Sequence, residues 1–390
     1  MSLLLLLGNH AAAASGYPYA SVKIAFTTAP GAVPSWTDVT SYVRLAAGIV
    51  ITRGRDNLLS RPNPGSMQLT FDNRDRRFEP EYAAGAYYPN VLPRRRVQVS
   101  VAWGNIYMNN TGFIERWQPI YAVGGDAVTK IDALDGLAIL ATVKLTGSYT
   151  SALSGTRVAS ILTGAAWPTA DRSLAVGEST LQASTLAQVA ALDHLNTVVD
   201  TENGRHFIAG DGTYKFQSRR TPLETPYNTS QATFGDGGGA ELPFESITFS
   251  YDTDQLYNDI QVTRTGGAVQ QAQDTASQTS YLIRTLTRTG QLHSTDATAL
   301  DAANWLLQSY KDPRLRIGSI MVRGSQKYPL NWPQVFGREL GDRITVKATP
   351  PGGGTRISQD LVIDGITLTS APRGTWTAAW KLSPIDVVPR

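Results

Sequence analysis

The sequence predicts a mainly β fold with an α+β insertion between two β regions. Segments such as Met67 to Phe71 alternate apolar and polar residues with a period of two, which is typical of half-buried strands. Gly and Pro are plentiful, with 35 and 21 among 390 residues, as expected for a chain with many turns. Apolar residues with helical spacing begin only after Leu137. Most of the helix is therefore expected beyond the first third of the chain.

Length and composition restrict the classes of protein that fit. A chain of 390 residues is too long for one ordinary core, so two or three domains are expected. No cysteine is present, which excludes disulfides and thiolate chemistry and gives no support to secretion through an oxidising compartment. The net charge of +3 is small for this length and does not by itself indicate a nucleic-acid-binding protein.

The first residues, MSLLLLLGNHAAAASG, look superficially like a signal peptide. The leucine run covers only Leu3 to Leu7 and lacks a basic segment before it, whereas signal peptides need roughly 7–15 apolar residues. We instead predict a short strand and a flexible linker over residues 1–19. No stretch approaches the ~20 apolar residues of a membrane span, so no membrane insertion is expected.

The first β region is predicted over residues 20–136. Its strands are indicated by alternating or continuous runs of apolar residues between turn formers. The runs are SVKIAF, IVI, MQLTF, VQVSVAW, TGFIERW and VTKI.

A long loop joins two of these strands. The polar turn from Asp72 to Asp75 opens it, and Phe78, Tyr87 and Tyr88 with several prolines fill it. A segment so rich in aromatic residues is expected to pack against the strands. The loop ends at the basic triplet Arg94, Arg95 and Arg96, which is a candidate contact surface.

An α+β region is predicted over residues 137–243. We expect one helix over residues 156–163 and a longer one over 179–199, from apolar residues spaced by three and four. Asp211-Gly212 predicts a hairpin between two short strands. The glycine-rich stretch 235–239 lacks the Lys and Ser/Thr of a phosphate-binding loop and is interpreted as a loose boundary.

A second β region is predicted over residues 244–390. One helix interrupts it, capped by Ser294 or Thr295 and ended by the Lys311-Asp312-Pro313 segment. Residues 266–280 are polar and are interpreted as a long loop. In the last strand, one face is expected to be buried: Trp376, Ala378, Trp380 and Leu382.

No catalytic, metal or cofactor site is predicted. The four histidines have no partner histidine three or four residues away, and His194 is expected at a cap or on the surface. No phosphate-binding or nucleophile motif occurs. Three pairs of acids lie close together in sequence: Asp72 and Asp75, Glu79 and Glu81, and Asp252 and Asp254. In the segment DNRDRRFEPE each acid has an arginine nearby, which favours ion pairs or turn caps over catalysis.

The order strand, DNRDRRFEPEY, YYPNVLPRRRVQV, strand resembles the N-terminal region of minor tail proteins from long-tailed phages of actinobacteria. GDRITV and the ending SQDLVIDGITLTS…GTWTAAWKLSP are similar to the same family of tail-tip, or baseplate, hubs. The resemblance covers nearly the whole chain and is weakest at residues 1–20 and 266–280.

The resemblance implies two hub-type β-barrel domains, 20–136 and 244–390, with the inserted domain 137–243 between them. It also implies a homotrimeric ring at the tail tip of the virion, below a distal tail protein hexamer. Tape measure protein and DNA would pass through that ring in transit, and other minor tail proteins or fibres would attach to it. No enzymatic activity is expected.

The basic triplet has three interpretations: a solvated strand entry, a subunit interface, or a contact with DNA phosphates. We favour the interface, formed by Arg94, Arg95 and Arg96 with Tyr87 and Tyr88, because arginine forks pair well with carboxylates. Two other functions remain open: a carbohydrate-binding tail module that uses exposed aromatic residues, and a cell-wall hydrolase.

Overall fold

The computed structural model describes residues 17–371 and 375–385. The short strand predicted at the start of the chain lies outside the described residues, as does the linker that follows it, apart from residues 17–19. Thirteen strands join in one large sheet, and smaller sheets and six α-helices in the described residues surround it. The predicted mainly β class with an α+β insertion is confirmed.

The first β region contributes seven strands, and the predicted alternation is confirmed. Val97, Val99 and Val101 are fully buried, as are Met67 and Phe71. The strands are β1 (Tyr19–Ile24), β2 (Thr37–Asp38), β3 (Val50–Gly54), β4 (Asn63–Asp72), β5 (Arg96–Trp103), β6 (Asn105–Tyr121) and β7 (Ala127–Leu134).

The middle of the chain folds around a separate hydrophobic core. Its elements are α1 (Gly136–Thr142), β8 (Lys144–Tyr149), β9 (Ala152–Leu153), α2 (Ser154–Gly164), β10 (Arg172–Leu174), β11 (Thr180–Leu181), β12 (Ser184–Ala190), α3 (Ala191–Glu202), β13 (Arg205–Ile208) and β14 (Tyr214–Gln217). The next strand, β15 (Thr233–Gly235), joins the large sheet instead.

Two predictions for this region are confirmed, one is wrong, and one holds for only part of its stretch. The helix over 156–163 and the hairpin at Asp211-Gly212 are present. The helix predicted over 179–199 begins only at Ala191, because residues 184–190 pair with β8 as a strand. The stretch 235–239 is not a loose boundary throughout, since Gly235 belongs to β15, which pairs in parallel with a strand of the second region.

The second β region includes five strands of the large sheet and a small unit of its own. Its elements are β16 (Ser246–Ser250), β17 (Asp259–Arg264), β18 (Val269–Gln273), α4 (Thr275–Tyr281), β19 (Thr285–Gln291), α5 (Asp296–Tyr310), β20 (Arg316–Arg323), α6 (Asn331–Gly337), β21 (Arg343–Ala348), β22 (Ile357–Ala371) and β23 (Thr375–Pro384).

The long polar loop predicted over 266–280 is instead β18 and α4. β18 pairs along β17, and the Asp274 carboxylate accepts a hydrogen bond of 2.9 Å from the backbone N–H of Ser277, which caps α4. Asp274 also pairs with Lys311 at 2.8 Å. With α5, these elements enclose a third small core. The predicted cap of α5 is confirmed, with Thr295 accepting from the N–H of Thr298 at 3.1 Å.

The large sheet contains the same strand order twice. In each β region, five strands that we label A to E in chain order pair antiparallel in the spatial order A-B-E-D-C. In the first repeat these are β3, β4, β5, β6 and β7. In the second repeat they are β16, β20, β21, β22 and β23.

The two D strands share a further irregularity. In β6, the register to strand E shifts between Ile114 and Arg116, and in β22 it shifts between Ile363 and Gly365. Each D strand therefore pairs with C before the bulge and with E mainly after it. One continuous hydrophobic core lies beneath both repeats, and the predicted inward residues Trp376 and Trp380 belong to it.

Helix α1 begins beside a buried acid. The Asp135 carboxylate accepts a hydrogen bond of 2.9 Å from the N–H of Leu137. Burial raises the pKa of Asp135 to about 7. An unfolded aspartate has a pKa near 3.9, so the folded chain retains this proton over a pH range in which the unfolded chain has released it.

We therefore expect Asp135 to make the protein less stable as the pH rises from about 4 to 7, because the folded state binds more protons there. Asp135→Asn keeps an oxygen acceptor for Leu137 and removes the titration. Urea unfolding at pH 5 and pH 8 should show a smaller loss of stability in Asp135→Asn than in the original protein. Equal losses in both proteins would contradict the expectation.

In the residues that the structure describes, no helix combines the length and apolar character needed to cross a bilayer.

Candidate assembly surface

The two repeats join through a strand pair inside the chain. Strand A of the first repeat, β3, pairs antiparallel with the second half of strand D of the second repeat, β22, from Val50 opposite Thr369 to Gly54 opposite Gly365. The hydroxyls of Thr52 and Thr367 approach to 3.4 Å across this junction. A single sheet therefore runs from one repeat into the other.

Gly54 allows the close approach at this junction. Its φ is +96°, and a Cβ at this position would lie 2.2 Å from the backbone oxygen of Asp364. Only glycine adopts that conformation without strain and leaves that space. The junction is thus built for direct backbone contact between the repeats.

Buried charges hold the same junction. The Asp364 side chain is 1% exposed and lies 3.2 Å from the Arg55 guanidinium and 3.8 Å from that of Arg205. Burial lowers the pKa of Arg205 to about 10. The Arg53 guanidinium pairs with Glu339 at 2.7 Å. These ion pairs connect the first repeat with the inserted region and the second repeat.

One face of the joined sheet is buried and the other is exposed. The exposed face extends over eight neighbouring strands, from β16 through β22 and β3 to β6. Most of its side chains are small or uncharged polar groups. Examples are Ser246, Thr248, Ser319, Ala379, Thr377, Thr367, Thr369, Thr52, Gln68 and Gln118.

Charges on this face are few and partly paired. Arg116 forms an ion pair with Asp132 on the neighbouring strand, and Arg323 forms one with Glu245. Lys130 and Lys381 are exposed on the same face. The face therefore offers little of the dense positive charge that holds nucleic acid through its phosphates.

The basic triplet makes contacts mainly within the chain. Arg95 donates to the carbonyl of Thr28 at 2.8 Å, and Arg96 donates to that of Pro30 at 2.9 Å. Arg94 has a φ of +65° and lies 3.3 Å from the carboxylate of Glu115. All three side chains are half-buried. These contacts connect the start of β5 to the neighbouring loops.

The aromatic loop packs against the first repeat, as predicted. The Phe78 side chain is fully buried, and Tyr87 stacks on Phe26 with ring centroids 4.2 Å apart. Trp117 lies against the same cluster, 6.2 Å from Phe78. Tyr88 is 45% exposed and remains open to a partner. The structure thus packs the half-buried Tyr87 against the core and leaves Tyr88 on the surface.

Three of the four acids of this loop are in ion pairs, as predicted, whereas Glu81 is exposed. Asp72 contacts Arg74 at 2.5 Å, and Asp75 contacts Arg77. Glu79 contacts Arg76 at 2.6 Å, and hydrogen bonds from Arg76 and Tyr121 lower the pKa of Glu79 to about 2. A carboxyl group with so low a pKa is a poor proton donor near neutral pH.

The prediction that His194 caps a helix or lies on the surface is wrong. Its side chain is 5% exposed and packs 5.7 Å from the ring of Tyr149, because α3 turns this face towards α2 and β8. Burial lowers the pKa of His194 to about 4. His206 is also buried, between Asn196 and Tyr214 at 2.9 Å each. Among the described residues, no three His, Cys, Asp or Glu side chains form a group that could hold a metal ion.

A polar cleft of about 390 Å³ lies between the inserted region and α5, and no pattern in the sequence indicates it. Arg219, His293 and Trp305 contribute to its lining. Beneath it, the fully buried Glu202 accepts hydrogen bonds from the N–H of Ser179 at 2.7 Å and from the Ser154 hydroxyl at 2.8 Å. These bonds satisfy the carboxylate within the fold and make it a structural group.

Two solved structures share this fold over nearly their whole length. The tail protein from Neisseria meningitidis MC58 superposes with a TM-score of 0.64 at 13% identity, covering 96% of this chain and 98% of its own. The 43 kDa tail protein of prophage MuSo2 from Shewanella oneidensis gives 0.61 at 13% identity, covering 95% and 97%. No protein-family model and no curated protein matches the sequence. The structural likeness establishes a common fold.

Proposed function

We propose that this chain is a structural protein of a phage tail, located at the tail tip, where copies of it form a ring. The observation that supports the proposal most strongly is the repeated A-B-E-D-C strand order, joined within one chain into a single sheet. Two equivalent units in one chain give a threefold assembly six similar positions. The common fold with two tail proteins, one of them from a prophage, agrees with this role.

The exposed face of the sheet suits the wall of a channel. Its surface is dominated by Thr, Ser and Gln, and its two arginines are paired with acids. A surface that carries tape measure protein and then DNA must not hold the phosphates, because each phosphate contact strengthens binding. We therefore assign this face to the bore of the ring and the inserted region to the periphery.

The ring is proposed to be a homotrimer that joins a distal tail protein hexamer to the host-facing tip. Residues 20–136 and 244–390 would form the two related barrels, with 137–243 as the inserted domain. Tyr88 and Arg94 are the members of the predicted contact set that remain accessible for other tail proteins or fibres. The proposal also includes that the phage infects actinobacteria, as the sequence resemblance implies.

The size and symmetry of the purified protein test this function. Light scattering should give a particle with three times the mass of one chain, and cryo-EM should show a ring whose inner surface carries Thr52 and Thr367. A monomer at every concentration, or a bore densely lined with arginine, would overturn it. Peptidoglycan cleavage that is lost in Glu79→Gln would instead establish the hydrolase alternative.

A further inference from the structure

β16 and the second half of β6 provide two of the unpaired strand edges in the described part of the large sheet; β2 and β15 provide others. β16 pairs with β20 on one side only. β6 pairs with β5 up to Phe113, and beyond the bulge, from Arg116 to Tyr121, it pairs only with β7. Open edges of this kind present backbone groups to any strand that can pair with them.

These two edges occupy the same places in the repeat as the two strands that form the internal junction. β16 is strand A of the second repeat, and β3 is strand A of the first. The segment after the bulge of β6 corresponds to the segment after the bulge of β22. Each repeat therefore has a strand A and a strand D that could form such a junction. Within the chain, only strand A of the first repeat and strand D of the second are paired in this way.

The register in which β16 would pair with β6 follows from the register of the internal β3–β22 pair. Aligning the bulges makes Arg116 equivalent to Gly365, so Gln118 corresponds to Thr367. Aligning strands B through their partners on strand E makes Thr248, which pairs with Ser319, equivalent to Val50, which pairs with Gln68. The β16–β20 pair has a bulge that leaves Gly318 without a partner. Counting two residues further along strand A therefore makes Ser250 equivalent to Thr52. Since Thr367 lies opposite Thr52, Gln118 would lie opposite Ser250, with Ile120 opposite Thr248 and Pro119 opposite Phe249.

Side chains that are buried in the internal junction have equivalents at the open edge that are partly exposed, as expected if the second contact forms only between chains. In the internal junction, Ile51 is 0% exposed and faces Leu368, which is 1% exposed. At the open edge, the equivalent of Ile51 is Phe249, which is 37% exposed. Tyr251 beyond it is 66% exposed, and Pro119 is half-buried. A strand laid along this edge would cover these apolar groups.

We infer that residues 246–250 of one copy pair antiparallel with residues 116–120 of a second copy, with Ser250 opposite Gln118. The pairing repeats the internal junction between chains and makes the sheet continuous from copy to copy. Pro119 has no N–H, so the ladder at that residue has an acceptor but no donor. The inference rests on the ring proposed above and specifies how its subunits join.

The partner must be another copy, because the two edges cannot meet in one chain. Six strands separate β16 from β6, which is roughly 30 Å along the sheet. The two edges are also different surfaces, so the contact is head-to-tail and closes into a ring when the rotation per subunit permits. Each chain would have one junction between its own repeats and one junction of the same kind with its neighbour. The two junctions would therefore alternate around the ring.

A cysteine pair tests the register directly, since the chain contains no cysteine of its own. The variant with Gln118→Cys and Ser250→Cys places two thiols on directly opposed residues. Opposed Cα atoms in antiparallel strands lie about 4.5–5.5 Å apart, within the range that a disulfide bridges. After mild oxidation, non-reducing electrophoresis should show most of the protein as covalent oligomers that a reductant returns to single chains.

Two matched variants control this experiment. Gln118→Cys with Ser246→Cys moves one thiol about 13 Å along the same strand and should leave the chains unlinked. Thr52→Cys with Thr367→Cys reproduces the pair inside one chain and should form a disulfide without oligomers, as counted by the loss of free thiols.

Oligomers from the Gln118/Ser250 pair and not from the Gln118/Ser246 pair support the inference. Unlinked chains in a particle that is a ring by cryo-EM would overturn the inference and leave the ring standing. Unlinked chains in a protein that remains monomeric at every concentration would overturn the ring itself. Equal cross-linking of both pairs would also overturn the inference, because it would show random contact.

Discussion

Asp364→Ala is expected to lower the free energy of unfolding by about 3–5 kcal/mol, which is typical of removing one partner from a buried ion pair. The carboxylate is 1% exposed and lies between Arg55 and Arg205. Without it, two guanidinium groups remain at the junction of the repeats with no acid between them. Arg205 is itself buried, so water cannot readily replace the lost partner.

Equilibrium unfolding in urea measures this loss. Asp132→Ala is the matched control, because Asp132 also pairs with an arginine of the large sheet, but its partner Arg116 is 62% exposed. Exposed pairs contribute about 0–1 kcal/mol, so the control should differ little from the original protein. Similar losses in the two variants would mean that the junction charges do not stabilise the contact between the repeats.

Local patterns in the sequence predict strands well where one face is buried and the other is not. The alternation from Val97 to Val101 and from Trp376 to Leu382 is confirmed because these strands lie over the main core. The sequence does not predict β18, because only Ala272 of its five residues is buried and the strand therefore lacks an apolar alternation. Residues 184–190 were mistaken for a helix because Leu186, Val189 and Ala190 fit helical spacing as well as a bulged strand.

The assembly surface was harder to predict than the strands. Alternation shows which residues face the core, but it does not show which strand lies beside which. Val50 and Thr369 pair although more than 300 positions separate them, and the repeated strand order exists only in such pairings. The arginine triplet is visible in the sequence because its residues are contiguous, whereas Arg55 and Asp364 meet only in the folded chain.

The aromatic loop should be the second large contributor to stability. Phe78→Ala is expected to lower the free energy of unfolding by about 3–5 kcal/mol, the usual range for removing a buried phenylalanine. The ring is fully buried and contacts Phe71, Tyr87 and Trp117 with centroid distances of 4.7, 5.4 and 6.2 Å. Its removal leaves a cavity at the point where the loop joins the sheet.

Tyr88→Ala separates this structural role from a role in assembly. Tyr88 belongs to the same loop but is 45% exposed, and surface substitutions of this kind usually change stability by no more than about 0.5 kcal/mol. Thermal unfolding of both variants and limited proteolysis of the loop provide the comparison. Phe78→Ala should unfold earlier and be cut within residues 77–93, while Tyr88→Ala should resist like the original protein. If Tyr88→Ala were as unstable as Phe78→Ala, the loop would be held by its exposed residues, and the assignment of Tyr88 to a partner surface would fall.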